Sequence, residues 1–272
     1  MTQILTIARR ELAEGMRNRW VVSMTAVMAA LAGTIAALGS APTGTTATGA
    51  LDVVVVGLAS LTIFLVPLIA LLLSHDSITR EAERGTLLLL LSHPLSRSQV
   101  VAGKFLGQLA ILALATVIGF GLAAAFVAWR HGAAGWQAFA MMTAISVLLG
   151  AVFLALGVLA SSMVQESSTA AGISIGLWLF FVALYDMALL AALVAMGGHA
   201  LSGWLMDAAL LANPTDAYRL LTLGEGASAM LSGMGGVYDN STLTPALLAG
   251  MLLVWCLVPL SLAMALFSRR NL

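Results

Sequence analysis

Six stretches of the chain are apolar at nearly every position. They run over 20–39, 53–74, 105–129, 136–160, 170–196 and 245–267. A bilayer-crossing helix needs roughly 20 predominantly apolar residues, and each stretch supplies them. None shows the strict alternation of a membrane barrel strand, because apolar side chains cover every face. The pattern predicts an all-α integral membrane protein with six transmembrane helices, residues 20–272 forming one six-helix domain. Residues 1–19 read differently. On a helical wheel Ile4, Leu5, Ala8, Leu12 and Met16 share one face, while Arg9, Arg10, Glu14 and Arg17 occupy the other. That is an amphipathic helix suited to lying in the membrane interface. The first span follows this charged leader and exceeds a signal-peptide core in length, so it is expected to stay uncleaved.

The distribution of charge orients the spans. Ten of the twelve Lys and Arg residues fall in the leader, in the connection 75–104 and at the C-terminal tail. Cytoplasmic segments are enriched in Lys and Arg, so both termini are placed inside, as an even number of spans requires. Only Arg130 and Arg219 lie on the other side, with Asp52, Asp207, Asp216, Glu225 and Asp239. The short connection 161–169, with Gln165 and Glu166, has no Lys or Arg.

The connection 75–104 is long for neighbouring spans. His75, Asp76, Arg80, Glu81, Glu83 and Arg84 precede Gly85, Thr86 and five leucines at 87–91. Pro94 stops any helix there, since it lacks an N–H and bars His93 from the α region. Ser96-Arg97-Ser98-Gln99 then forms a capping box that starts a new helix at Arg97. A short charged helix bearing leucines, held outside the bilayer, is built to touch another protein. The far connection, 197–244, has apolar patches at Trp204, Leu205 and Leu211. Such surface is rarely left in water, so short helices lying against the outer ends of the spans are expected. Asn213-Pro214 starts a turn. Asp216 is favoured near the N-terminus of the helix that follows, and Arg219 is available to Asp216 or to a partner.

Composition narrows the function classes. Of 272 residues, 61% are hydrophobic and 9% charged, and the mean hydropathy is +1.02. These values exclude a soluble globular enzyme, a disordered chain and a nucleic-acid binder with a basic face. The single cysteine, Cys256, excludes an internal disulfide and a multi-thiolate metal site. There is no G-x-x-x-x-G-K-[ST] for nucleotide phosphates and no H-E-x-x-H for zinc. Histidines 75, 93, 131 and 199 are scattered, and none stands inside a span as a base for a serine protease. Enzymatic chemistry, catalytic residues, a metal set and a cofactor bound by this chain are therefore not expected. The fourteen methionines are dispersed and read as apolar packing. Asp186 is the one acidic residue well inside a span. An ionisable group there is costly, which makes it a candidate for translocation or for a structural pair. Pro67 and Pro259 predict kinks. Gly172 and Gly176 offer a small-residue face for a close helix contact.

The run Glu81-Ala82-Glu83-Arg84-Gly85-Thr86-Leu87, with His93-Pro94-Leu95-Ser96-Arg97 and Gly103-Lys104-Phe105, resembles the cytoplasmic segment of ABC-2 type permeases. These are membrane subunits of ATP-binding-cassette transporters. Ile7-Ala8-Arg9-Arg10-Glu11-Leu12 is similar to their interfacial elbow helix. Arg17-Asn18-Arg19-Trp20 and Asn213-Pro214-Thr215-Asp216-Ala217-Tyr218-Arg219-Leu220 narrow the likeness to Nos-type permeases, which serve copper-site maturation of nitrous oxide reductase. The resemblance implies a homodimer in the bacterial inner membrane and a separate cytoplasmic ATPase that holds ATP and Mg. It also implies a periplasmic accessory protein. On this reading Glu81, Glu83, Arg84, Gly85, Leu87, Leu88, Pro94 and Arg97 couple to the ATPase. Trp204, Asp216 and Arg219 meet the periplasmic partner. Rival readings are an ABC-2 exporter of another substrate and a membrane anchor without transport.

Overall fold

In the computed structural model, the residues described are 2–39, 47–83, 85, 96–131, 136–195, 203–232 and 243–269. All the regular structure among them is helical. The leader forms α1 (Thr2–Met16), and α2 (Arg19–Gly39) and α3 (Ala47–Ser74) follow. A turn leads to the short α4 (Thr79–Glu83). Next come α5 (Arg97–His131), α6 (Trp136–Met163) and α7 (Ser167–Leu179). A π-helical turn, Phe180–Leu184, joins α7 to α8 (Tyr185–Ala195). The chain continues as α9 (Gly203–Ala212), α10 (Pro214–Ser232) and α11 (Pro245–Arg269). Among the described residues, six helical segments are long and apolar enough to cross a membrane: α2, α3 with α4, α5, α6, α7 with α8, and α11. They are called spans 1 to 6 below.

Span 4 is the centre of the bundle and the most buried of the six, packed against spans 2, 3 and 6. Phe153, Leu149, Leu112, Phe120 and Leu58 fill the space between these helices. Glycine sets the closest approaches. A Cβ at Gly150 would meet Leu112 at 2.2 Å, and one at Gly157 would meet the Ser74 hydroxyl at 2.0 Å. Lipid cannot drive helices together, so close backbone contact at small residues carries much of the packing. Gly172 and Gly176 do not serve this purpose within the chain, since nothing lies within 4 Å of a Cβ at either. Their face of span 5 points away from the bundle. Span 5 is also the least buried span.

α1 lies across the start of α5. A Cβ at Gly107 would stand 2.5 Å from the Glu11 Cβ and 2.8 Å from the Ala8 carbonyl oxygen. At Gly103 it would stand 2.7 Å from the Ile7 Cβ. A backbone atom cannot rotate out of the way, so Gly107→Leu is expected to push α1 off α5. Overpacking of this kind costs about 1–3 kcal/mol. Limited proteolysis checks it: the leader of the variant is cut while the spans stay protected.

α9 and α10 depart from the expectation of helices resting on the outer ends of the spans. They form a hairpin whose tip, Asn213, dips between the spans. Asn213 reaches the Phe181 carbonyl at 3.1 Å, well inside span 5. Tyr218 is fully buried and its hydroxyl is 3.1 Å from Ser146 of span 4. The Trp255 indole of span 6 donates to the Leu211 carbonyl at 3.1 Å. A tip at this depth must have its polar groups met by protein, and the Asn-Pro-Thr-Asp sequence does so. Asn213 is the N-cap, accepting from the Thr215 amide at 3.0 Å. Pro214 takes the first helical position, where its missing N–H costs nothing. The buried anchors of α9 are Met206 and Leu210, whereas Trp204 is exposed.

Candidate functional site

Two polar clusters stand apart in the bundle, one at its near end and one at the buried hairpin tip, and span 5 touches both. The first is at the end that carries the N-terminus. There α4 is short because Gly85, at φ +69°, takes a left-handed conformation that stops it. Three sets of contacts hold it. Its first amides, those of Ile78 and Thr79, donate to the Ser161 hydroxyl of span 4 at 3.0 and 3.2 Å. Glu81 pairs with Lys104 of α5 at 2.8 Å, and Lys104 also approaches Glu11 of α1 at 3.6 Å. Glu83 reaches the start of span 5, where its carboxylate accepts from the Ser167 amide at 2.6 Å and from the Ser167 hydroxyl at 3.0 Å.

The Glu83 contact is a helix cap supplied from another element. Glu166 occupies the N-cap position of α7 but makes no side-chain capping bond. A carboxylate from α4 satisfies the exposed amide instead, and its charge is favourable at a helix N-terminus. Burial pushes the Glu11 carboxyl above the usual carboxylate range, opposed by Lys104 and aided by Glu81. The Arg10 guanidinium is pushed up by its bond to Glu14.

Among the expected coupling residues, Glu81, Glu83 and Gly85 thus meet in and beside α4. Arg97 is elsewhere: its guanidinium donates to the Phe267 and Ser268 carbonyls at 3.3 Å, closing the C-terminus of span 6. The capping box at its foot is formed, with Ser96 and Gln99 exchanging bonds of 3.1 and 3.3 Å. Arg84, Leu87, Leu88 and Pro94 lie outside the described residues.

The second cluster is a buried charge network at the hairpin tip. Arg219 donates to Asp216 at 2.6 Å and to Asp186 at 3.0 Å. Asn213 adds a bond to Asp216 at 3.1 Å. The π turn makes the junction possible. The Tyr185 amide bonds to the Phe180 carbonyl five residues back, and this wider turn leaves the Phe181 carbonyl to the Asn213 amide. The Tyr185 hydroxyl donates to the Ala209 carbonyl at 2.7 Å, tying span 5 to α9 as well. Asp186 thus pairs with Arg219 within the chain. Of the two expectations for Arg219, the pair with Asp216 is the one formed, and both residues are buried within the chain rather than presented to a partner protein. Of the three expected contact residues, Trp204 alone presents a surface, because its helix turns Met206 and Leu210 inward.

Sequence reasoning missed Lys104, Ser161, Ser167 and Asn213 as members of these clusters. A lone lysine at the start of an apolar run was a usable signal, since a buried cation needs a partner. Nothing local marked the serines, whose partners lie more than 80 residues away.

The described residues thus hold six membrane-length helices, an amphipathic leader clamped to them, and two polar junctions on span 5, one at its first residue and one midway along it. Comparison with known sequences agrees with this architecture. The profile of ABC-2 family transporter proteins matches residues 5–272. A probable ABC transporter permease protein NosY of Pseudomonas aeruginosa is 46% identical over 274 residues, covering 99% of both chains. A probable ABC transporter permease protein NosY of Stutzerimonas stutzeri is 44% identical over 279 residues, also covering 99% of both. With the match spanning leader, spans and hairpin alike, the chain belongs to the ABC-2 family of transporter permeases, multi-pass membrane proteins that work with an ATPase partner.

Proposed function

We propose that this permease transmits the work of a separate cytoplasmic ATPase to the periplasmic side of the inner membrane, in the service of copper-site assembly of nitrous oxide reductase. The observation that carries the reading is the Glu83–Ser167 cap. Motion of α4 enters span 5 at its first residue through two bonds. Span 5 is 29 residues long, which makes it a rod of roughly 44 Å at the helical rise. Its far part is fixed to the hairpin by Arg219 and Tyr185. Tied to α4 at its first residue and to the hairpin roughly 28 Å further along, and little buried between, span 5 is suited to carry a displacement from α4 to the hairpin tip.

The segment 84–95, with Leu87, Leu88 and Pro94, is assigned to the ATPase surface. Amphipathic helices dock into grooves in this manner, and a charged rim sets orientation and encounter rate. The apolar face of span 5 opposite the bundle is assigned to a second copy of the chain, and exposed Trp204 to a periplasmic partner. The name shared by the relatives supports the maturation role.

Reconstitution tests the proposal. The purified chain alone is expected to hydrolyse no ATP above background, lacking a phosphate-binding loop. In proteoliposomes with its ATPase, hydrolysis and delivery to the reductase should appear together. Turnover by the chain alone, or hydrolysis without any effect across the membrane, contradicts the proposal. The second result would favour an anchor.

A further inference from the structure

Between α3 and α4 the turn at 75–78 interrupts the helix and leaves two amides over. The first amides of a helix have no partner within it. Among the described residues, no backbone carbonyl accepts from Ile78 or Thr79. Both amides donate instead to one hydroxyl, that of Ser161 near the end of span 4. Thr62, Ser74 and Ser146 turn their hydroxyls to carbonyls four residues back in their own helices. The fully buried Ser161 turns its hydroxyl across to the joint, where it also stands 3.5 Å from the Thr79 hydroxyl. Thr79, fully buried too, accepts from the Ser167 hydroxyl at 3.1 Å. Three hydroxyls thus run from span 4 across α4 to span 5, and Glu83 closes on the last of them.

The joint has a second arrangement close by. Buried amides are almost always paired, and one left without an acceptor keeps the full cost of its desolvation. Without the Ser161 hydroxyl, the acceptors that helical geometry offers are the carbonyls four residues back, those of Ser74 and His75. Taking them turns α3 and α4 into one straight helix. The direction of α4 then changes, and Glu83 at its last residue leaves Ser167. The bent form depends on an acceptor that neither α3 nor α4 supplies.

We infer that Ser161 is a positioning residue for transport: its hydroxyl holds the joint between α3 and α4 bent, so that Glu83 meets Ser167. The inference rests on the transmission through α4 and span 5 proposed above. Span 4 is the most buried span and span 5 the least, so Ser161 belongs to the fixed side of the joint and Ser167 to the moving side. α4 is then a lever, held at its first amides by Ser161 and working at its last residue through Glu83. A push arriving through 84–95 turns α4 about Ser161 instead of flexing the turn behind it.

The test is the ratio of delivery to ATP hydrolysis in the reconstituted full-length complex. Ser161→Ala removes the acceptor, and delivery per ATP should fall roughly tenfold while hydrolysis continues. Ser161→Thr keeps the hydroxyl and should restore most of the ratio, which a loss of packing alone does not explain. Ser161→Ala combined with Glu83→Ala should lose no more than either single variant, because both remove one and the same contact. If Glu83→Ala lowers the ratio and Ser161→Ala does not, the positioning role is wrong and the transmission stands. If neither lowers it, the transmission itself fails. Losses that multiply in the double variant, or an equal loss of hydrolysis and delivery in Ser161→Ala, also overturn the inference. Should Ser161→Ala not assemble, Ser161→Cys takes its place with the same expectations, since a thiol is a weak acceptor.

Discussion

Arg219→Met is expected to cost about 3–5 kcal/mol, the penalty for stripping the counter-ion from a buried charge. Both carboxylates that Arg219 holds are affected. Asp216 is fully buried and Asp186 is only one-fifth exposed in its side chain. Neither can turn to water, because the hairpin tip is packed among the spans. A thermal melt in detergent should fall well below that of the unaltered chain, and α9 and α10 should become open to protease. The cause can be separated from loss of side-chain volume. Adding Asp186→Asn and Asp216→Asn to Arg219→Met removes the charges together, and replacing a whole buried network with neutral groups is often close to neutral. The triple variant is expected to regain most of the lost stability. If it melts as low as the single variant, the network is held by packing rather than by charge.

Glu83→Ala is expected to act on coupling far more than on stability. A capping side chain typically contributes about 1 kcal/mol, and Glu83 is exposed, so the variant should fold, insert and bind its ATPase. What it loses is the bond that carries α4 into span 5. Changes along a coupled element alter coupling by about 0.5–2 kcal/mol, so activity across the membrane should fall roughly tenfold while ATP hydrolysis continues. Glu83→Gln is an informative companion. Its amide oxygen still accepts from the Ser167 amide without the charge, and partial recovery is expected. Equal loss of hydrolysis and transport would instead place Glu83 in the ATPase contact itself.

Much of this architecture could be read from the chain because the bilayer imposes a simple rule. Backbone polar groups must be met within each span, so span number and helical class follow from six apolar runs. The Ser96–Gln99 cap was legible for a similar reason, since its partners are three residues apart. The two clusters on span 5 were not legible. Glu83 finds Ser167 and Asp186 finds Arg219 across 84 and 33 residues, distances over which no local pattern records a contact. Asp186 was marked by its cost, and Arg219 by its isolation among acidic residues, but neither signal named the other. The π turn at Phe180–Leu184 left no trace in a run of apolar side chains. The depth of the hairpin was hidden as well. Trp204 and Leu205 suggested a surface helix, whereas the polar residues Asn213, Thr215 and Asp216 are what the fold buries.

Transmission of α4's displacement through span 5 to the hairpin is read most directly as a change in the distance between the hairpin and span 4. The chain's single cysteine, Cys256, is buried, so labels can be confined to two introduced cysteines in a Cys256→Ala background. Trp204→Cys on the hairpin and Met141→Cys on span 4 are both exposed positions. Electron spin–spin distance measurement between them, in the reconstituted complex with and without a non-hydrolysable ATP analogue, reports the movement directly. A nucleotide-dependent shift in that distance is expected, absent when Glu83→Ala is added although the ATPase still binds. A shift that persists unchanged in Glu83→Ala would contradict it.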